Sequence, residues 1–513
     1  MMRVPMFRSL AVRNYRLYAL GQLLSNPGTW MQRIAQDWLV LQLSHGSGIA
    51  LGMTTALQFL PLLLFGLWGG ALVDRLDKRR LLILTQGAMG LLAVGLGILA
   101  TAGAAEVWHV YVFAFALGMI TVLDNPGRQA FVPEMVDREH LSNAIALNSA
   151  SFQLGRVTGP AIAGLLIAWI GSGPVFVING FSFAFTIVAL LMIRTADLRT
   201  PEPVPKGKGQ IREGLRYVAG RRDLVLLLVL AASVQFFGAN GQNQIALMVN
   251  NVFESGAAAF GTAAAALAVG ALVGALLAAR RDRPRVRLVL IGAMGFGVTQ
   301  VAAGLMPGYL AFVVVLVPMG VLFMTYVTTL NATFQLTVDS RMRGRVMSMF
   351  LLVFMGVAPI GAPVVGLLAD AFGPRASLVT GGAVTVVVVS VLSVLLMRAK
   401  DVRWRALLPA RWREDAPSDG DTAADGTEAD AGTGTGTGAG AGAVSGTGAG
   451  AGAGAEAVSG AGAGAGSGAD AEAVRDTAGG ADDGTRAGPG GTAPDGGRRT
   501  RRGTSSRGAA TPV

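Results

Sequence analysis

Apolar residues run along positions 1–400 in long stretches, each followed by a short polar turn. A helix rises about 1.5 Å per residue, so about 20 apolar residues cross the hydrocarbon core of a bilayer. A longer polar segment near residue 200 divides the stretches into two sets of six. The pattern predicts an all-α membrane protein with twelve transmembrane spans, at 15–43, 49–72, 81–102, 108–132, 142–169, 175–193, 224–249, 257–279, 288–306, 309–335, 344–368 and 376–397.

These spans suggest four regions. We expect a six-helix bundle at 1–193, a cytoplasmic linker at 194–223, a second six-helix bundle at 224–400 and a cytoplasmic tail at 401–513. Residues 413–513 contain no Leu, Ile, Phe, Met, Trp or Tyr, so they cannot bury enough apolar surface to offset chain entropy. The tail is therefore predicted to be disordered, either passive or touching anionic lipid through its basic run at 498–507.

Arginine and lysine lie almost entirely in one set of turns. The basic segments are residues 3–16, 75–80, 138, 194–222, 280–287, 341–345 and 398–405, whereas the opposite loops hold only Arg375. The positive-inside rule then places both termini in the cytoplasm. This topology accounts for the formal net charge of +11 without a nucleic-acid partner.

Composition also excludes several kinds of chemistry. The chain has no cysteine, so thiolate metal sites and cysteine nucleophiles are impossible. Its three histidines, His45, His109 and His140, are far apart in sequence, and none of its lysines precedes Ser or Thr as a P-loop requires. We therefore expect no metal, no cofactor and no enzyme activity, and no signal peptide precedes the first span.

The two halves of the chain resemble each other. Residues 69–90 align with 274–295 at an offset of 205, sharing a glycine, an arginine, an aspartate and a closing GAMG. Residues 159–166, GPAIAGLL, likewise match GAPVVGLL at 361–368. Chance matching of small residues is the alternative. Internal repeats around a site at mid-membrane are typical of secondary transporters, so we predict two pseudo-symmetric bundles.

Polar residues concentrate in spans 1, 4, 7 and 10. Polar groups inside a membrane are costly and usually face a bundle interior or a wet cavity, so these spans are predicted to surround a central pathway. The candidates selected to line this cavity are Arg33, Gln36, Arg128, Arg156, Gln235, Asn240, Asn243, Thr328 and Asn331.

Two acidic residues inside the spans are candidates for proton coupling. Asp37 and Asp124 lie in spans 1 and 4. Removal from water there makes the charged carboxylate less stable relative to the protonated acid, as a proton carrier requires. Each has a structural alternative. Asp37 could pair with Arg33 one helical turn away, and Asp124 could form a fixed ion pair with Arg128 or Arg156.

The turn between spans 2 and 3 resembles a signature of the major facilitator superfamily, G-x-x-x-D-R-x-x-[RK]-[RK]. Here it reads Gly70-Ala-Leu-Val-Asp74-Arg75-Leu-Asp-Lys78-Arg79-Arg80. The resemblance implies that Asp74 contacts the cytoplasmic end of span 11 and holds the outward-facing arrangement. Arg343 and Arg345 could add ion pairs there, and Ala279 replaces the second copy's aspartate.

Span 5 is similar to a glycine-rich motif, G-x-x-x-G-P, of proton-coupled exporters. Its residues are Gly155, Gly159, Pro160 and Gly164. Small residues allow close helix packing, which we expect against Gly270 and Gly274 of span 8. Generic small-residue packing is the alternative to an export motif.

Residues 124–136 and 141–166 resemble the branch of the superfamily that contains enterobactin exporters and macrolide-efflux proteins. The resemblance covers about residues 7–400. It implies a monomeric plasma-membrane exporter of small amphipathic molecules, a siderophore, antibiotic or related metabolite, driven by proton antiport and alternating access. The alternatives are a uniporter or importer of the same fold, and a membrane receptor or assembly protein that transports nothing.

Overall fold

The computed structural model describes residues 5–199, 210–238, 240–280, 286–339 and 342–398. All of them belong to one structural unit, Met1–Ala465. The predicted tail, including its basic run and the second unit at Gly466–Val513, lies outside the described residues. So do residues 200–209 of the linker.

The described residues form helices and no strands. The first half contains α1 (Arg13–Leu43), α2 (Gly48–Val73), α3 (Lys78–Thr101), α4 (Val107–Met135), α5 (Arg138–Ile170) and α6 (Ser172–Met192). The linker carries α7 (Gln210–Ala219). The second half contains α8 (Arg222–Gly238), α9 (Gly241–Leu247), α10 (Ala257–Ala279), α11 (Val286–Leu305), α12 (Tyr309–Thr337), α13 (Arg343–Gly356), α14 (Ala358–Phe372) and α15 (Pro374–Arg398).

Eleven of the predicted spans are found as helical stretches of the described chain that are long and apolar enough to cross a membrane. Helix α1, with 31 residues, has the length of a twelfth span but a lower hydropathy. Its hydropathy is low because it carries polar residues such as Gln22, Asn26 and Gln32, all of which are buried. These side chains face protein rather than lipid, which is how a polar helix is tolerated in a bilayer.

Two spans are interrupted, which sequence periodicity did not predict. Span 7 divides into α8, α9 and a π-helical segment, Met248–Val252, after a glycine at position 238. Span 11 divides at Val357 into α13 and α14, where Pro359 lacks the amide hydrogen that a continuous helix requires. Interrupted helices in membrane proteins are tolerated where they are covered by protein or line a cavity.

The linker contains a helix that the sequence reading missed. In α7, Glu213 forms an ion pair of 2.7 Å with Arg345 of α13, and the Tyr217 hydroxyl donates to the Asp339 carboxylate at 3.1 Å. These contacts attach α7 to the second half. Its 10 residues are too short for a span and are amphipathic, so hydropathy alone did not distinguish them from loop.

The helix pairs of the first half recur in the second half. Helix α2 packs on α4, α3 on α6 and α1 on α5; the corresponding spans pair as α10 with α12, α11 with α15 and α8 with α14. This confirms the predicted pseudo-symmetry. The halves meet mainly along two seams, α2 against α14 and α5 against α10.

The glycine-rich motif packs differently from our expectation. A Cβ on Gly155 would lie 2.9 Å from the Asn26 carbonyl carbon, and one on Gly159 would meet Trp30, so both approach α1 rather than span 8. Pro160 and Gly164 do approach span 8, but at its start: a Cβ on Gly261 would meet the Pro160 carbonyl oxygen, and one on Gly164 would lie 2.8 Å from the Ala257 carbonyl oxygen. Gly270 and Gly274 instead pack against α12. Repeated spacing indicated close packing but could not identify the partner helix.

Candidate functional site

A cavity of about 160 Å³ lies between the two halves near the middle of the helices. Aromatic and thioether side chains form much of its wall, among them Trp30, Phe59, Phe296, Phe323 and Met319. The charged and polar residues that line it are Arg33, Asp37, Thr55, Gln58, Arg156, Gln235, Gln242 and Asn243. Such a mixture of apolar walls and a few polar groups is typical of a site for a small amphipathic ligand.

Two guanidinium groups of the cavity lie over aromatic rings. The Arg33 guanidinium carbon is 5.1 Å from the Trp30 ring centroid and 5.2 Å from that of Phe59. The Arg156 guanidinium carbon is 5.8 Å from the same Trp30 ring. Cation–π contacts of this kind hold a cation in a poorly hydrated place. Trp30 of α1 therefore positions arginines from both α1 and α5.

Asp37 joins the two halves across this cavity. Its carboxylate is buried and accepts a hydrogen bond of 2.6 Å from the side-chain amide of Gln242 in α9. One position further along α9, the Asn243 amide donates to the Thr55 hydroxyl of α2 at 2.9 Å. The candidate coupling carboxylate thus lies on the interface between the halves.

Asp124 lies outside the cavity lining, in a hydrogen-bond network within the first half. Its carboxylate accepts from Arg128 Nε at 2.6 Å, from the Thr85 hydroxyl at 2.7 Å and from the Gln86 amide at 2.8 Å. Arg128 also donates to Gln22 of α1. The geometry realises the ion-pair alternative for Asp124, with α1, α3 and α4 tied to one buried charge pair.

The other sequence candidates divide between the cavity and the helix packing. Gln235 and Asn243 line the cavity, and Gln36 donates to its wall residue Gln58 at 3.4 Å. The remaining three bond within their own segments: the Asn240 amide donates to Phe236 O, the Thr328 hydroxyl to Met324 O, and Asn331 accepts from Gln335.

Sequence reasoning missed several cavity residues. Thr55, Gln58 and Phe59 lie in span 2. This span is strongly apolar overall, so the polar residues Thr55 and Gln58 did not stand out as candidates. Trp30 was not distinguishable from a packing aromatic. Gln242 belonged to the polar group in span 7, but its pairing with Asp37 depends on the contact between halves, which a single sequence does not reveal.

The signature turn between α2 and α3 is fastened to the first half. Lys78 forms an ion pair of 3.0 Å with Glu134 of α4, and the Arg79 guanidinium donates to the backbone oxygens of Leu190 and Leu191 at 2.7 and 3.0 Å. The Asp77 carboxylate caps α3 by accepting from Arg80 N at 2.7 Å. The basic residues of the motif therefore hold the turn rigid, and Asp74 is the C-cap residue of α2.

At the opposite end of α2 a carboxylate from the second half caps the helix. Asp370 of α14 accepts from Gly48 N at 2.6 Å, from Ile49 N at 3.0 Å and from the Ser47 hydroxyl at 3.0 Å. A helix N-terminus carries free amide hydrogens and a partial positive charge, so it binds a carboxylate well. We call this contact the Asp370 clasp.

Glycine makes the clasp possible. A Cβ on Gly48 would lie 2.7 Å from the Gly366 carbonyl oxygen, and one on Gly52 would meet the Ala362 carbonyl, so α2 and α14 approach backbone to backbone. Nearby, the Asn251 amide donates to Gly46 O at 2.8 Å. This end of the interface between the halves is closed.

These features define a polytopic membrane transporter with a cavity between two pseudo-symmetric halves. A family model described as transmembrane secretion effector matches residues 5–416, and the chain belongs to this family of the major facilitator superfamily. Both its family and its fold class, as predicted from the sequence, are confirmed.

Characterised relatives are transporters rather than enzymes. The chain is 24% identical to the staphyloferrin A transporter of Staphylococcus aureus over 67% of this chain and 87% of that one. It is 26% identical to the multidrug efflux pump Tap of Mycolicibacterium fortuitum over 75% and 96%. It is 25% identical to the enterobactin exporter EntS of Escherichia coli over 76% and 93%.

Solved structures share the fold. An inward-facing bacterial homologue of the lysosomal transporter Spinster superposes with a TM-score of 0.57 at 18% identity, covering 74% of this chain and 95% of that one. An inward-facing bacterial homologue of the iron transporter ferroportin superposes with a TM-score of 0.58 at 16% identity, covering 76% and 99%.

The Asp124 network predicts a large loss of stability when one charge is removed. Asp124→Asn leaves the partly buried Arg128 without its counter-charge, and breaking a buried pair in this way costs up to about 3–5 kcal/mol. We expect a clear fall in the apparent melting temperature of the purified protein. The double variant Asp124→Asn/Arg128→Gln should lose less than the sum of the two single variants.

Asp223→Asn is the matched control for this measurement. Its partner Arg221 is partly exposed, and such surface pairs contribute about 1 kcal/mol or less. Strictly additive effects of the Asp124 and Arg128 substitutions would show that the two side chains are not coupled.

Proposed function

We propose that this protein exports small amphipathic molecules by proton antiport, alternating between two conformations. The observation that carries the proposal is the cavity between the halves, which contains two arginines and an interfacial aspartate and is bordered at one end by the closed α2–α14 contact. Charged residues at mid-membrane are costly, and in transporters they bind cargo or exchange protons. The chemistry of the lining is suited to both tasks.

For the cargo we propose a siderophore, an antibiotic or a related metabolite. The relatives are named for staphyloferrin A, enterobactin and macrolides, which supports export of compounds with both polar and apolar parts. The aromatic wall around Trp30 and Phe59 would hold the apolar part, and Arg33, Arg156 and the amides would hold the polar groups.

We further propose that two acidic contacts define the two conformations. The Asp370 clasp would hold one end of the halves closed, as described above. Asp74, at the other end of α2, would close the opposite end in the alternate conformation, as the signature resemblance implies. Formation of one contact and release of the other would open the cavity to one side of the membrane at a time.

For orientation, we propose that the basic turns and both termini face the cytoplasm. The distribution of arginine and lysine supports this assignment. The Asp370 clasp then closes the outer end, and the cavity would receive cargo from the cytoplasm. We place the protein in the plasma membrane as a monomer.

Single cysteines test the orientation, since the natural chain has none. Ala104→Cys lies in the exposed loop before α4, and Glu139→Cys is exposed at the start of α5. A membrane-impermeant maleimide applied to intact cells should label position 104 but not 139, and both after lysis. Labelling of position 139 alone in intact cells would reverse the topology.

Flux in proteoliposomes tests proton antiport. Enterobactin, staphyloferrin A and a macrolide are supplied in turn. Under an imposed pH gradient, a transported compound should move in the direction opposite to proton flow, and its direction should reverse when the gradient is reversed. Asp37→Asn should reduce gradient-driven flux by about tenfold or more, yet retain exchange of labelled for unlabelled cargo. Asp124→Asn tests the second candidate carboxylate in the same assay.

Asp197→Asn, an exposed acid beyond α6, is the control and should transport normally. Flux that is independent of the pH gradient would indicate a uniporter. Cargo that moves in the same direction as the protons would indicate an importer. Cargo binding without flux would indicate a receptor. Full gradient-driven flux in both Asp37→Asn and Asp124→Asn would exclude both residues as proton carriers.

Loss of the Asp370 clasp and loss of the proposed Asp74 contact should have opposite effects on access to the cavity. Ala268→Cys places a thiol in the cavity wall for labelling from the outside. Asp370→Asn weakens charge-assisted hydrogen bonds at the outer end, so labelling should accelerate severalfold. Asp74→Asn should slow it. Glu254→Gln, an exposed acid near the outer end, is the control, and equal rates in all four proteins would contradict the alternation proposed here.

A further inference from the structure

The polar contacts between the halves follow one line from the cavity to the clasp. Gln242, Asn243 and Asn251 of span 7 bond respectively to Asp37, Thr55 and Gly46 O of the first half, at 2.6, 2.9 and 2.8 Å. The Asp370 clasp continues this line at the end of α2. Three of the four contacts thus come from a single segment of the second half.

That segment has an irregular helical backbone. Helix α9 has 7 residues, begins after a break from α8, and runs into the π-helical segment Met248–Val252. π-Helical turns are uncommon and recur at functional positions, and broken helices in transporters surround coupling sites.

Gln242 differs from the other two contacts of this segment because its partner is a buried acid. Its amide donates to the Asp37 carboxylate, and a hydrogen bond to an ionised acceptor is about twice as strong as a neutral one. Protonation of Asp37 removes that charge and weakens this one bond between halves. Asn243 and Asn251 donate to a hydroxyl and a backbone oxygen, neither of which titrates.

The surroundings of Asp37 contain few other charges. Arg33 lies one turn away on α1, and Arg156 reaches the same cavity from α5. Helix α2 faces the cavity with Thr55 and Gln58, whereas α6 and α10 contain no charged residue. The charged pair of α4, Asp124 and Arg128, bonds within the first half. Among the hydrogen bonds of the described residues, the one from Gln242 links Asp37 directly to the second half.

We propose that Gln242 is the positioning residue that couples protonation of Asp37 to opening of the outer end. The ionised carboxylate holds α9 through Gln242 and so favours the clasped conformation. The protonated acid releases α9 and favours the open one. By linkage, the open conformation favours the protonated acid to the same degree, so a proton enters from outside and leaves when the clasp re-forms.

This inference rests on the proposed antiport, but its test requires no flux. Ala102→Cys and Pro307→Cys provide sites for spin labels, both exposed at the outer end and in opposite halves. Double electron–electron resonance between the two labels measures the separation of the halves. The full-length protein is measured in nanodiscs between pH 5 and 9. We expect the ratio of open to closed molecules to rise by about tenfold or more towards low pH.

Three variants isolate the role of Gln242. Gln242→Ala should favour the open conformation at every pH and reduce the pH response to less than about twofold, as should Asp37→Asn. Asn251→Ala is the matched control, because it removes a contact between halves with no titratable partner. It should open the outer end somewhat at all pH values and keep the full pH response.

Gln242→Glu gives a signature that a merely structural residue would not. Two facing carboxylates repel, so the closed conformation would need one shared proton, and the outer end should now open as the pH rises. A full pH response in Gln242→Ala, or an unaltered direction in Gln242→Glu, would overturn the proposal. If the distances respond as expected but flux ignores the pH gradient, the inference on Gln242 stands and the antiport proposal fails.

Discussion

A charged or amide side chain inside a bilayer must face protein or water, and this constraint governs the whole molecule. In α1 it turns a poorly hydrophobic helix inward, where Gln22 meets Arg128 and Asp37 meets Gln242. The same helix carries Trp30, whose ring holds the two cavity arginines. The least hydrophobic span therefore forms part of the cavity wall and connects it to the second half.

The buried polar groups divide into two kinds with different consequences. The Asp124–Arg128 network lies wholly within the first half and connects α1, α3 and α4, so it acts equally in any arrangement of the halves. The Asp37–Gln242 bond crosses between the halves and exists only while they are close. Only the second kind of contact depends on how close the two halves are.

The sequence predicted the number, order and pairing symmetry of the spans because each depends on local hydropathy and on a repeat that is visible in one chain. It also identified Arg33, Arg156, Gln235 and Asn243 as cavity candidates and Asp37 as a candidate for proton coupling, since polar residues in apolar helices are conspicuous. It could not predict contacts between distant segments. The packing of Gly155 against α1, the pairing of Gln242 and the helix of the linker all depend on tertiary neighbours.

The position of Asp370 gives the acid at the opposite end of α2 a physical counterpart. Asp74 terminates α2 at the basic end, and Asp370 lies near the end of α14 and caps the start of α2. The Asp370 carboxylate binds free amide hydrogens at the N-terminus of a neighbouring helix. Exposing these amides costs little when the contact breaks, because water replaces the carboxylate as their acceptor. Close backbone packing at Gly48 and Gly366 brings the end of α14 against the start of α2, and this approach places the Asp370 carboxylate within reach of the free amide hydrogens.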